Sequence, residues 1–163
     1  MDSQVEKGKQ WLETLLSLMG LTAAVSTEGF VKIESSDSDW LNIEAENLTP
    51  EQQERLIGDK GENLDAIQYL ANTLINLNLD SELQKSLTIE LDGYRTKRYN
   101  ELSSLTESTV EQVRQTGQEV EIPNLSSAER KQIHTMLQDS EDLATESRGQ
   151  EPNRRLVVRL QQQ

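Results

Sequence analysis

The stretch LIGDKGENLDAIQYL, residues 56–70, constrains the fold more than any other part of the chain. Gly58 and Gly61 stand three apart between segments of helical pattern, with one acid (Asp59) and one base (Lys60) between them. A glycine inside a helix costs about 0.5–1 kcal/mol relative to alanine, because it loses the most backbone freedom on folding. The pair therefore reads as a tight turn that ends one helix and opens the next. Backbone amides can line such a turn, and without a Cβ at either glycine a sugar–phosphate backbone can approach closely. The N-terminus of the following helix adds unpaired N–H donors and a partial positive charge. By itself a GxxG turn is more often a plain helix–helix connection, so its context decides.

The context is an ordered series of elements. Ser3 and Glu6 read as a capping box ahead of the helically spaced Trp11, Leu12, Leu15, Leu16 and Met19, with Gly20 as the stop. TAAVSTEGFVKIESS is rich in β-branched residues and alternates from Phe30 to Ile33. WLNIEAE follows the turn-like SSDSD, which predicts an antiparallel hairpin. Thr49, Pro50 and Gln52 supply an N-cap, a first-turn proline and a capping box for the next helix. Beyond the glycines a second helix runs over residues 62–78, with Leu64, Ile67, Leu70 or Ala71, Leu74 and Ile75 as its apolar stripe. SLTIELDG reads as a third strand. The first half is thus helix–strand–strand–helix–GxxG–helix–strand. Trp11 and Trp40 read as core rather than as base-stacking platforms.

Residues 94–116 form a long polar helix, closed by Gly117, that reads as a connector between two small domains. The second half continues with a short strand, EVEIP, and a helix capped by Ser126 and Glu129 whose apolar face includes Ile133, Met136 and Leu137. A strand near residues 143–147, the turn GQEPN and a last strand RRLVVRL complete it. On the helix, Arg130 and His134 are four apart and share a face. An Arg offers a planar fork of donors suited to phosphate oxygens, and a His one turn on adds a donor or a stacking surface. An isolated helical His is more often packed and locally bonded. Arg154 and Arg155 open the last strand and either extend a basic patch with Lys131 and Arg159 or stand as solvated edge charges. Ser147 bonds either a phosphate or its own turn.

Net charge argues against a nucleic-acid partner only until its distribution is examined. The chain carries −13, but residues 1–92 hold 6 Lys/Arg against 18 Asp/Glu, while residues 93–163 hold 10 against 11. The acidity belongs to the first half, and the second half retains the means for a local basic face. There is no Cys, which excludes disulfides and thiol chemistry. Nothing resembles a nucleophile–base pair, and the acids show no metal-ligand spacing, so neither a catalytic site, a metal nor a cofactor is expected. No apolar run approaches the ~18 residues that span a bilayer, and MDSQVEKGKQW has no secretory-signal pattern. The expectation is a cytoplasmic protein without a membrane partner.

With these motifs in order, the chain resembles the SpoIIIJ-associated (Jag-like, KhpB-type) bacterial RNA-binding family. The segment LIGDKGENLDAIQYLANTLIN is similar to that family's GxxG signature, SSAERKQIHTMLQD carries its Arg-x-x-x-His motif, and TESRGQEPNRRLVVRL is similar to its ending. LDGYRTKRYNELSSLTE is similar to its interdomain helix. The resemblance covers roughly residues 12–160 and implies an α+β fold of two small domains. These are a KH domain of prokaryotic type over 1–92 and an R-3-H domain over 118–163, joined by a helix within 93–117. A KH module clamps about four nucleotides of single-stranded nucleic acid at its GxxG turn.

The resemblance also implies a non-catalytic binder of single-stranded RNA that acts after transcription in processes tied to cell growth and division, often alongside a small single-KH partner protein. The RNA-binding residues it implies are Gly58, Asp59, Lys60, Gly61, Arg130, His134, Ser147, Arg154 and Arg155. Two departures stand out. Many family members place basic residues between the glycines, whereas Asp59 here opposes Lys60, with Glu62 and Asp65 nearby, so the first half should bind weakly alone. The extra N-terminal domain of some members has no counterpart in these residues, which implies a short form. The alternatives from other classes are a protein-interaction scaffold, motivated by the acidic first half, and a ribosome-associated or single-stranded-DNA-binding factor using the same surfaces.

Overall fold

The computed structural model describes residues 3–30, 32–33 and 37–161. The chain divides into two compact units, Met1–Thr96 and Lys97–Gln163. Both mix α and β structure, so the α+β expectation holds in each.

The first unit opens with α1 (Ser3–Leu18), followed by β1 (Val25–Ser26), β2 (Asp39–Ile43), α2 (Pro50–Ile57), a 3-10 turn (Asp59–Gly61), α3 (Glu62–Ile75) and β3 (Leu87–Leu91). β2 is the central strand, antiparallel to β1 and parallel to β3, with Leu41 opposite Ile89. The antiparallel pairing of the first two strands is as predicted, and the first strand lies within the predicted stretch TAAVSTEGFVKIESS, though not in its alternating part. Val25–Ser26 forms that strand, while Phe30, Lys32 and Ile33 lie in no strand. Val31 and residues 34–36 of that stretch lie outside the described residues. Alternation over so short a run carries little information when the neighbouring TAAVS segment has the better β-branched content.

One core joins the sheet to the helices: Leu12 and Leu16 from α1, Leu56 from α2, Leu64, Ile67, Ala71 and Ile75 from α3, and Leu41, Ile43, Leu87, Ile89 and Leu91 from the strands. Each large side chain here contributes about 1.5–3 kcal/mol by leaving water. Trp40 is buried, and Trp11 packs partly buried against this core. Of the predicted α3 stripe, Leu64, Ile67, Ala71 (the alternative to Leu70) and Ile75 are buried, whereas Leu70 and Leu74 are exposed.

α3 also covers the free edge of β3 with polar side chains. Ile89 N–H donates to Gln68 (2.9 Å). Asn72 accepts from Leu87 N–H (2.7 Å) and donates to Leu87 O (2.9 Å), and Asn76 does the same with Lys85 at 2.9 and 2.7 Å. Four residues of helix rise about 6 Å and two residues of strand about 6.6 Å, so side chains four apart meet backbone groups two apart. Helical amides thereby take the place of a missing neighbour strand.

The second unit contains most of α4 (Tyr94–Thr116), then β4 (Val120–Ile122), α5 (Ser127–Leu137), β5 (Leu143–Arg148) and β6 (Arg155–Leu160). The sheet is antiparallel in the order β4-β6-β5, so β6 is central rather than an edge strand. Leu102, Val113, Ile122, Leu125, Ile133, Leu143, Leu156 and Val158 form its core. The buried line of α4 is Leu102, Thr106, Thr109 and Val113. Both threonines can be buried because each hydroxyl donates to a carbonyl one turn back, Thr106 to Leu102 (2.7 Å) and Thr109 to Leu105 (2.8 Å).

Candidate nucleic-acid interface

The glycine turn of the first unit follows from local backbone demands. Thr49 caps α2, with Gln52 closing the capping box. The helix ends where Gly58 adopts φ 73° and its N–H bonds Glu54 O at 2.8 Å. Lys60 (φ 52°) and Gly61 (φ 81°) are also left-handed, a region glycine enters without penalty and lysine does not. Space matters as much as φ. A Cβ on Gly58 would lie 2.7 Å from the side chain of Asn63, which donates to Arg55 O at 2.7 Å and so closes α2. A Cβ on Gly61 would lie 2.9 Å from the ring of Tyr94. Both glycines are therefore required by the chain's own packing, whatever approaches from outside.

α3 begins at Gly61 with no side-chain cap; its first amide, Glu62 N–H, donates to Asp59 O, and the amides that follow it in the first turn have no capping side chain. The charge around them is less hostile than the sequence suggests. Asp65 is engaged by Arg95 at 2.8 Å, so Asp59 and Glu62 are the acids that oppose Lys60. Arg95 is itself fixed, with its Nε donating to Ile89 O at 2.6 Å. Buried Glu90 caps the start of α4, accepting from the backbone N–H of Arg95 at 3.0 Å and of Thr96 at 3.3 Å.

In the second unit α5 lies against β5, and its start is firmly set. Ser126 and Glu129 form the predicted capping box, both bonds 3.1 Å. Buried Glu129 also accepts from Arg98 Nε at 2.7 Å, a bond that raises the guanidinium pKa above its ordinary value. Between α5 and the sheet opens a cavity of about 500 Å³, lined by Arg130, Lys131, His134, Thr145, Ser147 and Arg154. Ser127, Glu146, Glu151 and Leu156 complete its wall. His134 is exposed and its Nδ1 bonds the Thr145 hydroxyl, which orients the ring and leaves Nε2 as the other polar atom. Glu146 is engaged by Arg148 (3.0 Å to Nε), whose guanidinium pKa is raised chiefly by Glu119. Among the described residues, neither Lys131 nor Arg154 has a carboxylate partner.

The predicted site residues thus fall into three groups. Gly58, Asp59, Lys60 and Gly61 share the turn of the first unit. Arg130, His134, Ser147 and Arg154 share the cavity of the second. Arg155 belongs with neither, since it donates to Glu121 at 3.0 Å. Strand alternation sends Leu156 and Val158 into the core and Arg155 and Arg159 to the opposite face of the sheet. Arg130 is the residue whose surroundings the sequence hid most. Only 4% exposed, it donates through Nη1 to Leu125 O (2.8 Å) and Arg154 O (3.3 Å) and through Nη2 to Glu151. Thr145 lines the cavity without having been singled out, whereas Lys131 was expected only as part of a basic patch with Arg154. Thr145 follows from alternation with Ser147, and Lys131 from its place beside Arg130.

Residues 100–160 match the R-3-H domain family. The chain is 30% identical over 156 residues to the RNA-binding protein KhpB of Bacillus subtilis, an alignment covering 94% of this chain and 72% of that one. The chain belongs to the KhpB family. Similar proteins of the same name occur in Clostridium symbiosum, 27% identical over 97% of this chain and 67% of that one, and in Lactiplantibacillus plantarum, 34% identical over 70% of this chain and 35% of that one. The R-3-H match contains all of β4, α5 and β5 and begins inside α4, so it takes in the cavity with Arg130 and His134. Among the described residues no helix is long and apolar enough to cross a membrane.

Proposed function

We propose that this chain binds single-stranded RNA without catalysing a reaction, through two contacts of different strength. The observation that carries the reading is the cavity beside α5, which gathers Lys131, His134, Arg154 and Ser147 around Arg130 inside the R-3-H region. Side-chain cations of this kind take phosphate oxygens, and the hydroxyls and ring offer contacts to sugar or base. The turn at Gly58–Gly61 adds a second contact through the α3 amides and Lys60. The two sites on one chain reinforce each other through effective concentration. The assignment is a KH domain over 1–92, a joining helix within 93–117 and an R-3-H domain over 118–163, in a cytoplasmic protein acting after transcription in growth or division.

A titration of single-stranded RNA pools and matched DNAs at low and high salt tests this. Because both turn glycines are needed for packing, Lys60→Ala probes the first site, and His134→Ala with Arg154→Ala probes the second. Salt-sensitive binding that weakens in both sets supports the reading. No binding at low salt overturns it, and equal affinity for DNA removes any role for the 2′-hydroxyl.

A second reading has its own observation. Tyr69, Leu70, Leu74 and Leu77 are 71%, 49%, 47% and 62% exposed, and Ala66 and Thr73 fall on the same line at three- and four-residue spacing. A stripe of this kind on α3 favours a protein partner, such as a small single-KH protein, alongside RNA or in place of it.

A further inference from the structure

We propose that Glu151 is an affinity-determining residue of the second unit's anion site. Its carboxylate occupies the edge of the Arg130 guanidinium that a phosphodiester would take, so RNA binds by exchanging one anion for another. This rests on the reading that the cavity beside α5 binds RNA.

The two sides of the Arg130 guanidinium are held by different kinds of partner. Nη1 is held by the main-chain carbonyls of Leu125 (2.8 Å) and Arg154 (3.3 Å), which cannot leave while the unit is folded. Nη2 is held by Glu151, whose side chain is 60% exposed and projects from the turn between β5 and β6. The Arg130 side chain is only 5% exposed. A cation so far from water is costly to leave unpaired, and in the free protein Glu151 is the anion that pairs it. Carboxylate and phosphate are the two groups that a guanidinium fork accepts in the same geometry. The exchange is therefore like for like, and the displaced carboxylate returns to solvent from a position already half in it.

Lys131, Arg154 and His134 line the same cavity, the two cations without carboxylate partners among the described residues. They make the first contact, and Arg130 completes it once Glu151 swings away. Apparent affinity then falls by the fraction of molecules in which Arg130 is open. If Glu151 holds Arg130 in about 70–90% of molecules, its removal tightens binding roughly three- to tenfold. A contact that merely braced the β5–β6 turn would give the opposite sign, since loosening the turn would weaken binding.

The test uses the full chain and fluorescence anisotropy with a labelled single-stranded RNA pool at low salt. Glu151→Gln removes the competing charge, and Glu121→Gln makes the same change in net charge on the other face of the sheet, beside Arg155. Glu151→Asp shortens the side chain and leaves net charge unchanged, and it decides the matter if the Gln variant lowers the melting temperature into the assay range. The expected result is roughly three- to tenfold tighter binding for Glu151→Gln, a smaller gain for Glu151→Asp, and no comparable gain for Glu121→Gln. If the wild type binds and neither Glu151 variant binds more tightly than Glu121→Gln, Glu151 is a structural tie and the proposal is overturned alone. If neither wild type nor Glu151→Gln binds RNA, the RNA reading fails with it. Binding by Glu151→Gln where the wild type shows none supports both.

Discussion

The glycine turn of the first unit and the α5 cavity of the second both offer donors to an anion, but they differ in what holds the donors in place. At the turn the donors are main-chain amides, and their positions depend on two glycines packed against Asn63 and Tyr94. In the cavity the donors are side chains, and only Arg130 among them is built into the unit's interior. A change at either glycine that disturbs contact at the turn therefore disturbs the fold of the first unit as well. The cavity separates the two, because His134, Lys131 and Arg154 can be removed without touching the core. The difference also explains how acidity is tolerated. Amides aligned at a helix start keep their polarity whatever the neighbouring side chains carry, whereas the cavity needs Glu146 and Glu151 to be neutralised by Arg148 and Arg130.

The contrast breaks most visibly at Gly61. Gly61→Ala must adopt φ 81° and crowd the Tyr94 ring. It is expected to destabilise the first unit by about 2–4 kcal/mol, with hydrogen exchange of β5 and β6 unchanged. Arg130→Ala comes next. It leaves the carbonyls of Leu125 and Arg154 unpaired and should cost the second unit about 1–3 kcal/mol along with its RNA binding, measured by urea unfolding and titration of the same sample. Asn72→Ala strips the N–H and C=O of Leu87 of their partners. It should cost about 1–3 kcal/mol and expose the β3 edge, so sedimentation should show self-association that wild type lacks.

His134→Ala sharpens the comparison from the other side. Stability should stay within about 0.5 kcal/mol of wild type, while RNA binding weakens by roughly three- to tenfold, the size of a single lost contact. A large stability loss would mean that the His134–Thr145 bond is structural and the cavity is no freer than the turn.

The smallest effect concerns the exposed charge pairs of the second unit. Arg114 holds the Asp142 carboxyl below its ordinary pKa, and Arg148 does the same for Glu119. Groups with depressed folded pKa values contribute stability that is present above the ordinary carboxylate range and lost as pH falls through their folded values. The melting temperature should therefore fall slightly on acidification, less so in Asp142→Asn and at high salt.

Much of this organisation was legible because it depends on residues within one turn of each other. The Thr49–Gln52 and Ser126–Glu129 boxes, the stop at Gly20, the glycine turn and the strand pattern of LTIEL all rest on local hydrogen bonds and dihedrals. The misses share a cause as well. Thr106 and Thr109 look polar in a list, yet they are buried because their hydroxyls bond the helix itself. Leu74 and, as the alternative to Ala71, Leu70 read as core, yet both are exposed, because the face of α3 turned to the sheet also carries Gln68 and Asn72 to the β3 edge. Periodicity shows that a helix has two faces; it does not show which one is covered.

The sequence by itself determined the order of elements, the position of the glycine turn and the presence of Arg130 and His134 on one helical face, since each is set by spacing along the chain. Tertiary structure alone decided what those residues can do. It placed Tyr94 and Asn63 against the glycines, sent Arg155 to the far face of the sheet beside Glu121, and brought Glu151 onto Arg130 from 21 residues away. Charge pairing depends on distance in space, and that distance is set only when the sheet and helix have packed.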